Sequence, residues 1–106
     1  PKINELLAAN GEIISLIKPQ FEAGKDKVGK NGVVKSREVH KEVLFKVADA
    51  AIRLGLSVLN LTFSPITGPK GNIEYLYYFS KNQPSSFFDL KTAIDKTVST
   101  AWLECK

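Results

Sequence analysis

The sequence predicts an α/β fold: half of a doubly wound, mostly parallel sheet with about three strands and about three helices. Three observations carry this expectation. Residues 12–18 form an almost unbroken apolar run, EIISLIK, stopped by Pro19, which is the pattern of a strand buried on both faces. Val39, Val43, Leu44, Val47, Ala50, Ala51 and Leu54 then share one stripe at helical spacing. Residues 57–63 alternate next, with Leu59, Leu61 and Phe63 on one face and Val58, Asn60 and Thr62 on the other. Strand, helix, strand in this order is a right-handed crossover unit.

The remaining elements follow from local signals. Ile3, Leu6 and Leu7 at helical spacing, followed by Asn10 and Gly11, read as the end of a helix with a C-terminal glycine. Pro19 closes the first strand and holds Lys18 extended. Ser36 is an N-cap for the second helix, with Glu38 in its first turn, and Gly55 stops it. Residues 64–72 (SPITGPKGN) crowd two prolines and two glycines into a loop. Residues 73–80 (IEYLYYFS) are aromatic-rich and read as a third strand, antiparallel to the second. Ser86 and Asp89 resemble a capping box before Phe87, Leu90, Ile94, Val98, Ala101 and Trp102, so the last helix runs to about Glu104.

Composition narrows the class. With 106 residues, 43% hydrophobic and 25% charged, the chain has the size and balance of one globular domain. Its apolar runs fall far short of the roughly 18–20 residues that cross a bilayer, and residues 1–10 lack the pattern of a secretory leader. A single cysteine, Cys105, forms no internal disulfide and points to a reducing, cytoplasmic setting. The net charge of +4 sits entirely in residues 18–37, where six cations face two anions among three glycines. Such a loop is either a polyanion contact, through Lys25, Lys27, Lys30, Lys35 and Arg37, or a solvated loop.

Chemistry-bearing motifs are sparse. The seven glycines never fall at Gly-x-Gly-x-x-Gly or P-loop spacing, and His40 with Cys105 cannot make a zinc site, so no metal is expected. His40 reads as a surface or half-buried side chain. Two residues stand out by position. Lys18 ends the most buried strand, where open α/β sheets gather their ligands, although a terminal lysine also snorkels without any role. Glu74 is the one acid in the aromatic strand, on the face shared with Leu76 and Tyr78; it either pairs with Lys18 or stands in water at a sheet edge.

The runs LIKPQFEAG (16–24), VGKNGVVKSREVHKEVL (28–44) and LGLSVLNLTFSPITGPKGNIEYL (54–76) closely resemble the C-terminal part of the FtsJ-like domain of the TlyA-type family. Its members go by the names hemolysin and ribosomal RNA 2′-O-methyltransferase. The resemblance covers roughly residues 3–80 and implies a Rossmann-like class I S-adenosylmethionine-dependent methyltransferase fold, of which residues 1–106 are a single partial domain. It also implies a Lys-Asp-Lys-Glu catalytic set, whose second lysine falls on Lys18 and whose glutamate falls on Glu74. The first lysine, the aspartate, the glycine-rich cofactor loop and the S4-type RNA-binding domain have no counterpart in this sequence. The resemblance therefore implies S-adenosylmethionine for the full-length protein and neither cofactor binding nor turnover by this segment alone. The implied partner is ribosomal RNA or a ribosomal subunit, with the basic residues touching phosphates.

Two other readings stand beside this one. A membrane-active hemolysin is disfavoured by the mixed charges of the last helix, Asp89, Lys91, Asp95 and Lys96. A non-catalytic RNA-binding or structural fragment is the other. A half-sheet would also leave one exposed edge, through which the isolated piece could self-associate.

Overall fold

The computed structural model of the chain describes residues 5–9, 12–22, 36–64, 67, 71–81 and 89–104. Four strands form one sheet: β1 (Glu5–Ala9), β2 (Glu12–Ile17), β3 (Ser57–Phe63) and β4 (Tyr75–Ser80), in the order β1-β2-β4-β3. Three helices accompany them: α1 (Pro19–Glu22), α2 (Arg37–Arg53) and α3 (Leu90–Glu104). The α/β class and the elements β2, α2, β3, β4 and α3 agree with the sequence, whereas the short α1 is not among the expected elements.

The antiparallel pairing expected between the second and third strands is found, as β3 with β4, but the mostly parallel sheet is not. Every neighbouring pair is antiparallel, because β4 inserts between β2 and β3. The two strands joined through α2 still run in the same direction, each antiparallel to β4, so the crossover spans one intervening strand. The burial on both faces read from EIISLIK is not found either: Ile13, Ser15 and Ile17 are buried on one face, whereas Ile14 on the other is 46% exposed.

The first ten residues are the second correction, since residues 5–9 form a strand where helical spacing predicts a helix. A helix that short is marginal unless packing holds it. The edge of β2 instead offers a ladder running from Glu5 opposite Leu16 to Ala9 opposite Glu12, with only Asn10 and Gly11 between the partners. Asn-Gly is both a helix-stop and a hairpin signal, and the segments on either side of it pair as antiparallel strands. With β1 added beside β2, the sheet ends at β1 and β3.

The core lies between one sheet face and the two long helices. Ile13, Ile17, Val58, Leu61, Tyr75, Tyr77 and Phe79 meet Val43, Leu44, Val47, Ala48 and Ala51 of α2 and Ile94, Val98 and Ala101 of α3. A bulge between Val58 and Asn60 shifts the β3 register, so Val58 joins Leu61 on the buried face and the regular alternation read for this strand fails there. The Tyr77 hydroxyl donates to the Leu44 carbonyl oxygen at 2.7 Å, tying the central strand to α2, and burial pushes that phenol far above its usual range.

The caps behave in two ways. Ser36 caps α2 as predicted, accepting from the Val39 N–H, and Gly55 takes the positive φ of 86° that ends the helix. At α3 the cap is Asp89 rather than Ser86, which lies outside the described residues together with Phe87. Asp89 accepts from the Thr92 N–H at 3.2 Å and from the Thr92 hydroxyl at 2.8 Å. These bonds, led by the hydroxyl, hold its carboxyl below the usual range. A depressed acid stabilises the fold fully above its unfolded pKa of about 3.9 and ceases to do so as pH falls through the lower folded value. Asp89→Ala therefore lowers the thermal midpoint at neutral pH, and the gap to wild type closes in melts taken progressively below about pH 4.

Candidate functional site

The two residues singled out by position flank the same end of the sheet. The β2–β4 ladder runs from Glu12 opposite Ser80 to Ile17 opposite Tyr75; Lys18 follows Ile17 and Glu74 precedes Tyr75 in the chain. Both lie one residue outside the strands, where the side chains are released from the pleat yet carried by central strands. The sequence reading placed Glu74 within the strand. It instead precedes β4 and is buried, 7% exposed, so the reading of a carboxylate in water at an edge is set aside.

Local structure holds each residue. Pro19 is buried and starts the single turn of α1, in which the Phe21 and Glu22 N–H groups donate to the Lys18 carbonyl oxygen at 2.9 and 3.1 Å. The next residue, Gln20, reaches across and donates from Nε2 to Glu74 Oε2 at 3.3 Å. Phe21 points outward, with the Lys18 Nζ 5.8 Å from its ring centroid. Partial burial raises the Glu22 carboxyl above its usual range.

Glu74 is anchored from two further directions. Its carbonyl oxygen accepts from the Ser64 N–H at 2.8 Å, which draws in the end of β3. Its neighbour Tyr75 places its hydroxyl 2.8 Å from His40 Nδ1. His40 is buried, with edge contacts to the rings of Tyr75 and Trp102 at 5.5 and 4.6 Å. The expectation of a surface or half-buried histidine is thus overturned: Trp102 of α3 closes over it, a contact that residues 36–54 alone do not foretell. Gly71, at φ 82°, begins the GNIE segment that delivers Glu74.

Of the predicted phosphate contacts, Lys25, Lys27, Lys30 and Lys35 lie outside the described residues; Arg37 is exposed at the first position of α2. Sequence reasoning missed Gln20, Phe21 and the His40–Tyr75 pair. The KPQF run contains the first two, but only the turn of α1 shows which way each one faces. A groove of about 310 Å³ between β3 and α3, lined in part by Asn60, Thr62, Lys96 and Thr100, contains neither Lys18 nor Glu74.

The model of the family described as FtsJ-like methyltransferase matches residues 2–81, which include both ends of this site. The chain belongs to that family. It is 42% identical over 78 residues to YqxC of Bacillus subtilis, whose name carries a provisional rRNA methyltransferase assignment; the match takes in 74% of this chain and 28% of the relative. It is 34% identical over 104 residues to the 16S/23S rRNA (cytidine-2′-O)-methyltransferase TlyA of Mycobacterium tuberculosis, covering 98% of this chain and 35% of that protein. A solved structure of a Streptococcus thermophilus protein bearing the name hemolysin superposes with a TM-score of 0.80 at 40% identity, over 92% of this chain and 35% of that one. The chain thus spans about a third of the length of the relatives it matches. As an FtsJ-like methyltransferase segment it contributes the sheet end built from β2, α1 and β4.

Proposed function

We propose that the protein carrying this FtsJ-like segment methylates a ribose 2′-hydroxyl of ribosomal RNA in the cytoplasm, and that Lys18 and Glu74 are its catalytic contribution. One observation supports the reading: a lysine directly after β2 and a buried, hydrogen-bonded glutamate directly before β4 flank the same end of the β2–β4 ladder. The names of the Mycobacterium tuberculosis and Campylobacter jejuni relatives support the substrate class.

The two residues divide the work by charge. A ribose hydroxyl is a poor nucleophile, and negative charge develops on its oxygen as it attacks. The Lys18 ammonium stabilises that charge and orients the hydroxyl, an electrostatic role that needs a cation fixed in place beforehand. Glu74, buried and bonded to Gln20, holds the turn that carries the lysine. A base is not assigned, since an acid beside a lysine opposes its deprotonation.

S-adenosylmethionine is the methyl donor that the family implies. The residues of this chain do not fit a cradle for it: no glycine-rich nucleotide loop occurs in the sequence, and Gly55 and Gly71 serve a helix end and the approach to Glu74. Cofactor binding therefore falls to the part of the relatives that this chain does not span. Among the described residues no helix is long and apolar enough to cross a membrane.

The deciding experiment is transfer of labelled methyl from S-adenosylmethionine to ribosomal RNA by the complete protein, with ribose methylation mapped by nuclease resistance. Methylation confined to a ribose 2′ oxygen is expected; methylation of a base, or none, overturns the reading. The basic segment makes a separate prediction. Neutralising Lys25, Lys27, Lys30, Lys35 or Arg37 weakens RNA binding, and each loss lowers the slope of log Kd against log salt by about 0.7–0.9. An unchanged slope in titrations of the five variants would show that these cations are merely solvated.

A further inference from the structure

We infer that Phe21 is an aromatic platform on which a base of the RNA substrate stacks, held beside the lysine that faces the sugar hydroxyl. The inference rests on the ribose-methylation reading above and names a substrate contact for the same site.

Exposure alone does not argue this, because isolated exposed apolar side chains are common on folded proteins. Position does. Phe21 is 66% exposed, yet its backbone is fixed: its N–H is bonded to the Lys18 carbonyl, Pro19 before it is buried, and Gln20 is fastened to Glu74. The ring is therefore carried by a fixed backbone, in the turn that also follows Lys18. The Lys18 Nζ lies over the ring, 5.8 Å from its centroid, within the range of about 6 Å at which a cation and an aromatic face attract. A cation on the ring and an open aromatic surface thus occupy the space of a single nucleotide.

The chemistry of the substrate uses both. A 2′-hydroxyl reaches the sheet end only if its nucleotide is drawn away from its neighbours, and an unstacked base needs a new partner for its face. A phenylalanine supplies one without reading sequence, since every base has a π-face. Of the other large exposed apolar side chains among the described residues, Ile14, Ile52, Leu54 and Leu103 are aliphatic and offer no such surface, and the one aromatic, Phe45 of α2, is 38% exposed against 66% for Phe21.

The test uses the complete protein. Phe21→Ala is expected to weaken binding of a short single-stranded RNA about tenfold, within the range of roughly 1–3 kcal/mol per stacked base, whereas Phe21→Tyr and Phe21→Trp restore it to within about twofold. The same RNA carrying 5-iodouridine, irradiated on the protein, is expected to crosslink at position 21 in the wild type and the aromatic variants. Unchanged RNA affinity in Phe21→Ala, or a crosslink elsewhere, overturns the inference. So does a lowered thermal midpoint in Phe21→Ala that Phe21→Trp fails to repair, because the ring would then pack against another part of the polypeptide. Lys18→Ala and Glu74→Gln run in parallel separate the two ideas: full methylation by both variants refutes the catalytic reading, whereas the crosslink reports on Phe21 alone.

Discussion

Replacing Lys18 with alanine in the complete protein lowers ribose methylation by about 10²- to 10³-fold, the loss typical of removing one preorganised donor to a developing oxyanion. The effect falls on kcat, because an ammonium that stabilises charge formed during reaction adds little to ground-state binding. Lys18→Arg keeps the charge, but its planar head cannot occupy the position of a compact ammonium, so most of the loss persists. Glu74→Gln is the sharper companion. A glutamine oxygen still accepts from Gln20, so geometry survives while charge disappears, and kcat falls with little change in RNA affinity. If both Lys18→Ala and Glu74→Gln methylate at the wild-type rate, the catalytic assignment is wrong and the segment is structural.

Phe79→Ala destabilises the protein by about 3–5 kcal/mol, the cost of emptying a large aromatic site in a packed core. Phe79 is completely buried in the central strand, opposite Ile13 on one side and Val58 on the other, and its ring stacks on Tyr77 at 5.1 Å. Tyr77→Phe provides the contrast, costing only about 0.5–1.5 kcal/mol. It removes one hydroxyl whose acceptor, the Leu44 carbonyl, keeps its place in the α2 hydrogen-bond ladder. Urea denaturation of both variants measures the difference; equal midpoints would mean that the ring of Phe79 contributes no more than the hydroxyl of Tyr77. Marginal stability makes the larger loss visible as reduced soluble yield.

Much of this site is legible in the residues. KPQFEAG and GNIEYL mark the ends of two strands, and an apolar run closed by Lys-Pro sets a lysine at a strand terminus without knowledge of the partner strand. The burial of His40 is not legible, because one face of an amphipathic helix accepts a histidine only if something polar waits for it. Here that group is the hydroxyl of Tyr75, 35 residues away. The α3 cap misleads for a related reason: Asp89 suits both the acidic position of a capping box and the cap itself, and only the bonds to Thr92 distinguish them.

The sequence by itself determined the α/β class, the extents of α2 and β3 to within a residue or two, the stopping points at Pro19 and Gly55, and the place of Lys18 at the end of β2. Those are consequences of periodicity and of single-residue backbone preferences, which act within a few positions along the chain. Only the tertiary structure decided that β4 lies between β2 and β3, that residues 5–9 pair as a strand, and that Gln20 fastens Glu74 while Phe21 faces outward. Each of those depends on which distant segments meet. Ile17 opposite Tyr75 is a contact across 58 residues, and an apolar strand has no local feature that names its partner.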